Sequence, residues 1–267
     1  MEKLIVLGTG NAMATRCYNT CFSLFDGKEH LLVDGGGGNG ILRQLQEAGI
    51  SFAVIRGMLV SHAHSDHILG AIWIIRNMAM LIGKEAYTGN FTLYCHRELA
   101  ATLRMIAELT LPKKVLAFFD TRIFFQSVSD GECVHIRQWD VTFFDIHSSK
   151  EKQFGFTIAL QNGKKLAFLG DEPFNELCRD HVAGSDWLLS EAFCLYAERE
   201  KYKPYEKHHS TVKDACVLAE RLGVPNLVLW HTEDDSLPQR KSLYMAEGQF
   251  FYSGNLFVPD DLETLPL

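Results

Sequence analysis

Six apolar runs in this chain end in a side chain able to bind a metal or move a proton, and no other feature constrains the fold as much. Leu31-Leu32-Val33 ends at Asp34, and Met58-Leu59-Val60-Ser61 at His62. Phe143-Phe144-Asp145-Ile146 ends at His147, and Leu166-Ala167-Phe168-Leu169-Gly170 at Asp171. Leu188-Leu189-Ser190 ends at Glu191, and Val228-Leu229-Trp230 at His231. Short apolar runs of this length are strands, and α/β proteins keep their chemistry at strand C-terminal ends. The pattern predicts that these six ends gather.

Further strands are expected at Leu4–Leu7, Cys21–Phe25, Phe91–Cys95 and Phe154–Leu160. The ligand-bearing runs give strands His30–Val33, Gly57–Val60, Val141–Ile146, Lys165–Leu169, Trp187–Leu189 and Asn226–Trp230. Helices are expected at Gly40–Ala48, Asp66–Ile82, Arg97–Leu109, Pro173–Val182 and Val212–Leu222. The last is well punctuated: Thr211 and Asp214 form a capping pair, Gly223 ends the helix and Pro225 prevents its continuation. Alternation of strands and helices indicates a mixed α/β layered fold. No Pro/Ser-rich linker, charge block or repeat divides residues 1–267, which read as a single domain.

Composition removes several classes. With 47% hydrophobic residues the chain has ordinary globular composition. A net charge of −7 supplies no global field for nucleic acid, although a local basic patch remains open. Seven scattered Cys with no Cys-x-x-Cys read as reduced and mostly buried, which suits a cytoplasmic protein. The most apolar run, Ile68–Gly83, is interrupted by Arg76 and is shorter than the roughly 20 residues that span a bilayer, so it reads as a buried helix. Lys3 leads directly into strand-like Leu4–Leu7 with no secretory h-region.

The densest element is His62-Ala63-His64-Ser65-Asp66-His67. Residues at i and i+2 leaving a strand point the same way, so His62 and His64 can hold one cation. Asp66 and His67, at the start of the next helix, can face a second. Imidazole and carboxylate donors suit Zn²⁺, Mn²⁺ or Fe. His147, Asp171 and His231 are further ligand candidates, and Asp34 is expected to orient a ligand His. His30, His96, His135 and His181 lie off the strand ends and read as surface or core residues. Gly35-Gly36-Gly37-Gly38-Asn39-Gly40 fits G-x-G-x-x-G, but the next strand ends at Ser61-His62 where a dinucleotide site needs an acid. These glycines instead let backbone pass close beneath the histidines.

His62-x-His64-x-Asp66-His67 followed by His147, Asp171 and His231 resembles the metallo-β-lactamase superfamily, over nearly the whole chain. The resemblance implies a four-layer αββα sandwich and two divalent ions, Zn first with Mn or Fe as alternatives. It implies that His62, His64 and His147 hold one ion, that Asp66, His67 and His231 hold the other, and that Asp171 bridges them. Leu7-Gly8-Thr9-Gly10-Asn11-Ala12, Ser190-Glu191-Ala192-Phe193 and His208-His209-Ser210-Thr211 are similar to the ribonuclease Z branch. That likeness makes Asp66, Glu191 and His209 the catalytic residues of a metal-dependent phosphodiesterase, the last two acting on the leaving group. Its substrate is RNA or a small cyclic phosphate, and a homodimer is implied. Ribonuclease Z carries a long Gly/Pro-rich tRNA-gripping arm between the positions of His147 and Asp171. Here only residues 148–170 lie between them, a spacing similar to compact phosphodiesterases. The alternative is a hydrolase of the same fold acting on a carboxylic ester, thioester or lactone. Arg199, Lys201, Lys203 and Lys207 near His209 favour the phosphate.

Overall fold

The computed structural model describes residues 1–267, which form two compact units. The first comprises Met1–Gly8, Tyr18–Ser129 and Asp261–Leu267; the second comprises Thr9–Cys17 and Asp130–Asp260.

The first unit runs β1 (Lys3–Gly8), β2 (Cys21–Phe25), β3 (His30–Val33), α1 (Gly40–Glu47), β4 (Ile55–Leu59) and α2 (Ser65–Gly83). It continues through β5 (Phe91–His96), α3 (Arg97–Thr110), α4 (Lys113–Leu116) and β6 (Ile123–Val128), and the final strand Thr264–Pro266 completes it. The sheet has seven strands, in the order final strand, β1, β2, β3, β4, β5, β6. Pairing is antiparallel as far as β3 and parallel from β3 to β6. Parallel neighbours need a crossover, and α1, α2 and α3 supply the three. Burial follows helical spacing along α2, where Ile68, Ile72, Ile75, Ala79 and Ile82 join Leu32, Met58, Phe91 and Leu103 in one core. Leu69, Trp73 and Met80 lie on the more exposed side of the same helix.

The second unit begins with β7 (Cys133–Ile136), β8 (Trp139–Asp145), β9 (Phe154–Ala159), β10 (Lys165–Phe168), α5 (Arg179–Val182) and β11 (Trp187–Glu191). It ends with α6 (Arg199–Tyr202), α7 (Val212–Leu222), β12 (Asn226–Trp230), α8 (Leu237–Gly248) and β13 (Asn255–Phe257). Its seven strands lie in order from β7 to β13, antiparallel to β10 and parallel from β10 onward. Leu188, Leu227 and Leu229 pack with Val212, Cys216 and Ala219 of α7 and with Tyr244 of α8. The buried Arg240 guanidinium binds Thr9 Oγ1, Thr232 Oγ1 and the Pro259 carbonyl, tying the Gly8-Thr9-Gly10 loop to the chain beyond β12. Both units thus share one plan, an antiparallel stretch followed by a run of parallel strands.

All ten expected strands exist, with ends shifted by two residues at most. The α7 caps are as expected: the Thr211 and Asp214 side chains each bond the other's backbone N–H, and Gly223 has φ 66. The expected helix Pro173–Val182 is a correction. Asn175 takes an extended backbone, its side chain caps Leu177 N, and only a 3₁₀ turn and the single turn α5 follow. A local Asn bond of this kind competes with helix formation. Helix α8 was not expected; Pro238 sits in its first turn, where proline is tolerated and only looks like a breaker. Strands β6, β7, β13 and the final strand were also not expected. Three of them have only three or four residues or carry exposed positions, and β6 exposes Gln126 and Ser127. No helix is long and apolar enough to cross a membrane.

Candidate functional site

In the first unit, the chain leaves β4 extended through His62 and enters α2 at Ser65, with His64 as the N-cap residue at φ −64, ψ 146. Asp34 follows β3, the neighbour of β4, and is 1% exposed. Its carboxylate accepts three bonds: Ser61 N at 2.8 Å, Ser61 Oγ at 2.7 Å and His67 Nδ1 at 2.8 Å. Because Ser61 Oγ donates to Asp34, it accepts from His62 Nδ1 at 2.9 Å. Both rings therefore carry their proton on Nδ1 and present Nε2 as a lone-pair donor, the tautomer that metal-ligating histidines adopt. Asp34 occupies the orienting position that the sequence suggested.

The distances among these donors are those of ligands around one ion. His67 Nε2 and Asp66 Oδ2 are 3.2 Å apart, and His62 Nε2 and His64 Nδ1 are 2.9 Å apart. Two donors each 2.0–2.1 Å from a tetrahedral Zn²⁺ would be roughly 3.3 Å apart. His62, Asp66 and His67 are buried and His64 is half-buried. The glycine run makes this geometry accessible. Gly35 N donates to His67 O at 2.8 Å and Gly70 N to Gly36 O at 2.9 Å, so the run lies directly on the first turns of α2. A Cβ on Gly70 would sit 1.7 Å from Gly35 O. The Tyr18 hydroxyl holds the run from the other side through Gly35 O and Gly38 O, each at 2.9 Å.

In the second unit the donors come from separate strand ends. Asp171 follows β10 after Gly170, whose φ is 75, and is 3% exposed. Gln153, fully buried just before β9, donates Nε2 to Asp171 Oδ1 at 2.5 Å and leaves Oδ2 for other contacts. His231 follows β12 at φ 57, with its Nε2 3.5 Å from Asp171 Oδ2. Left-handed backbone at a non-glycine residue is costly and is retained where a side chain must be aimed. Asp34, His147 and His231 all adopt it, at φ 55, 57 and 57. His147 itself is exposed and is in none of the donor groups that the other candidate ligands form.

Glu191 ends β11 at 1% exposure, and its Oε1 accepts from Ser210 N. Its Oε2 faces His209 Nδ1 at 3.7 Å, and neither atom has a hydrogen-bond partner. Donor atoms of Glu191, His209 and His231 lie within 4.8 Å of one another. Burial is the first cause of both shifts in the pair: it pushes the His209 imidazole down to about 3 and raises the Glu191 carboxyl. Burial thus disfavours the charged form of both groups. Arg199 packs over Tyr196 at 4.0 Å, Lys201 over Tyr202 at 4.2 Å and Lys207 over Phe193 at 5.0 Å, while Lys203 pairs with Glu200 at 3.0 Å.

The four histidines set aside are not gathered with these groups. His30 bonds Ser23, His96 caps α3, His135 pairs with Asp140 at the surface and His181 stacks on Phe144. Sequence reasoning missed Gln153 and Glu172. Glu172 is buried and accepts from Ser148 Oγ at 2.8 Å and Ser149 N at 3.3 Å, fastening the loop after His147. A signal existed for the first: a Gln opening the apolar run Phe154–Leu160.

A model of the family described as anti-Pycsar protein Apyc1 matches residues 2–250. Ribonuclease Z from Bradyrhizobium sp. (strain ORS 278) is 23% identical, over 92% of this chain and 96% of its own. Among solved structures, the metallo-β-lactamase fold protein YhfI from Bacillus subtilis has a TM-score of 0.77 at 16% identity, covering 100% of both chains. Human tRNase Z, short form, has a TM-score of 0.76 at 18% identity, covering 99% of this chain and 98% of that one. The fold is the α/β metallo-β-lactamase fold, as the motif set implied.

Proposed function

Because the chain belongs to the Apyc1 family of anti-Pycsar proteins and is a ribonuclease Z-like, metal-dependent hydrolase of the metallo-β-lactamase superfamily, we propose that it uses two divalent ions to hydrolyse a small cyclic phosphodiester. The observation that carries this reading is the buried Glu191–His209 pair beside His231. An alkoxide leaving from phosphorus needs a proton, and an imidazole facing a buried carboxyl group is placed to give one. A thiolate leaving from a thioester needs none.

The donor set fits the ions. In this reading His62, His64 and His147 would hold one ion and Asp66, His67 and His231 the other, with Asp171 a ligand available to either. The assignment of His147, which is exposed, rests on the family pattern, and metal content of His147→Ala measures it. Bound Zn²⁺, or Mn²⁺ or Fe, would supply an acidified water as nucleophile and neutralise charge on the phosphoryl oxygens. The residues do the rest. The water–phosphorus bond forms, the phosphorus–leaving-oxygen bond breaks, and His209, oriented by Glu191, gives its proton to that oxygen. Asp34 and Ser61 keep His62 and His67 in the ligating tautomer.

Substrate size follows from residues 148–170. They are used up by the Glu172-fastened loop and the β9–β10 hairpin, so the arm with which ribonuclease Z grips tRNA has no counterpart. That favours a small cyclic phosphate over RNA. The reading includes a homodimer formed through the exposed Leu69, Trp73, Met105 and Leu109 of α2 and α3, and light scattering at one chain mass would remove it. The seven free cysteines suit the cytoplasm.

The test pairs metal analysis with hydrolysis of bis(p-nitrophenyl) phosphate on one purified sample, with Asp171→Asn as control. Two metals per chain, turnover, and loss of turnover in the control are expected. Cyclic nucleotides and precursor tRNA are then compared, with the cyclic substrates preferred. Two metals without turnover would favour the ester, thioester or lactone reading.

A further inference from the structure

The imidazole of His209 is clasped by a ring that the phosphodiesterase reading leaves unused. Phe193 lies two residues beyond Glu191 and is 7% exposed. Its ring is stacked on that of His209, with centroids 5.1 Å apart and an interplanar angle of 10°. The backbone enforces this pairing. Phe193 N donates to Ser210 O at 2.9 Å and Val212 N to Cys194 O at 3.0 Å, so residues 193–194 run as a short parallel ladder beside 210–212. The Phe193 carbonyl is fixed in turn by Glu233 N at 2.8 Å and the Tyr244 hydroxyl at 3.2 Å. The Tyr202 ring meets Phe193 at 88°, with centroids 6.2 Å apart.

The His209 ring needs such a plate. Its last torsion joins an sp³ to an sp² carbon, a soft, broad well that permits the plane to swing. On its Nδ1 side the ring faces Glu191 Oε2 at 3.7 Å, too long to lock the plane by a hydrogen bond. His231 touches it at a tilted 40°, with centroids 5.2 Å apart. The Asp171 backbone also bonds the ring, and the flat apolar face of Phe193 at parallel contact limits how far the plane can swing about that bond.

We propose that Phe193 is a positioning residue: it restrains the ring plane of His209 so that Nδ1 keeps facing Glu191 and the opposite nitrogen is turned toward the leaving oxygen. The inference rests on the phosphodiesterase reading for the direction of proton transfer, but not for the ring geometry. The sequence position also carries the economy of the arrangement. One strand end supplies both the carboxylate that orients His209 and the ring that keeps it flat.

The test compares Phe193→Leu, Phe193→Tyr, His209→Ala and the double variant Phe193→Leu/His209→Ala. Phe193→Leu is expected to lower kcat about 10-fold, part of the roughly 10²- to 10⁴-fold that a placed acid contributes, with KM, metal content and Tm close to wild type. Phe193→Tyr keeps the plate and restores most of the turnover. The double variant is expected to equal His209→Ala, because a plate with no ring to hold has no effect. Imidazole NMR of the metal-free protein supplies a readout independent of activity: one sharp His209 set in wild type, broadened in Phe193→Leu. Effects of Phe193→Leu and His209→Ala that multiply in the double variant would overturn the proposal, as would an unchanged His209 spectrum. A wild type without phosphodiesterase activity would instead sink the functional reading and leave the NMR comparison to judge Phe193.

Discussion

The two units are built on one plan and hold their polar strand ends in opposite ways. In the first, one carboxylate serves the whole group: Asp34 binds Ser61 twice and His67 once, and through Ser61 it also fixes His62. In the second, each side chain has its own brace. Gln153 holds Asp171, Ser210 N holds Glu191, and Phe193 lies against His209. The difference follows from chain connectivity. A single strand-to-helix junction delivers His62, His64, Asp66 and His67, so a neighbouring strand can support all of them from one residue. Asp171 and Glu191 arrive at the ends of two adjacent parallel strands and His209 just before α7, and three separate places need three supports.

The largest expected effect shows whether both groups are required. His64→Ala in the first unit and Asp171→Asn in the second are each expected to abolish turnover of bis(p-nitrophenyl) phosphate. If either variant kept more than a tenth of wild-type kcat, the two groups would not serve one reaction.

Next is His209→Ala. It is expected to cost roughly 10²- to 10⁴-fold in kcat while metal content stays at the wild-type level, because the ring moves a proton rather than holding an ion. Loss of a metal in that variant would make His209 a ligand and turn the Glu191, His209 and His231 group into a binding site.

These two expectations bear on how much of the site was legible in the sequence. The first unit's group was readable as a unit because its spacing is local: six consecutive residues carry four candidate donors. The second unit's residues were readable one at a time, as polar endings of apolar runs, and became a set only through resemblance. Gln153 and Glu172 escaped because their role depends on which strand lies beside them, which no local spacing encodes. The fold divides in the same way. Strands with buried, unbroken apolar runs were all expected, whereas short edge strands such as β13 and the final strand carry too few residues to show a period. Helix α8 was hidden by a proline that its first turn accommodates.

Shared and separate support predict different responses to the loss of one brace. Asp34→Asn keeps the shape but replaces an oxygen acceptor with a donor facing Ser61 or His67. It should weaken metal affinity about 10- to 100-fold, as loss of a ligand's supporting partner does. Because Asp34 serves two histidines, its loss should fall at the upper end of that range. Gln153→Ala frees Asp171 alone and should fall at the lower end. Competition with a chromogenic chelator measures both, and equal losses would remove the distinction between a shared hub and separate braces.

The smallest effect isolates the scaffold from the chemistry. Thr211 caps α7 two residues beyond His209, and Asp214 completes the capping box at the same end. Thr211→Ala removes the side-chain acceptor for Asp214 N and should cost about 1 kcal/mol of stability. The ladder that aligns Phe193 with His209 uses the backbone of residues 210–212, not the Thr211 side chain. Denaturant unfolding should therefore show the loss in stability while kcat stays within about twofold of wild type, since the backbone ladder and the stacked ring both remain. A fall in kcat as large as that of Phe193→Leu would mean that the α7 cap, rather than the stacked ring, sets the plane of His209. The second unit would then depend on a single support as the first does.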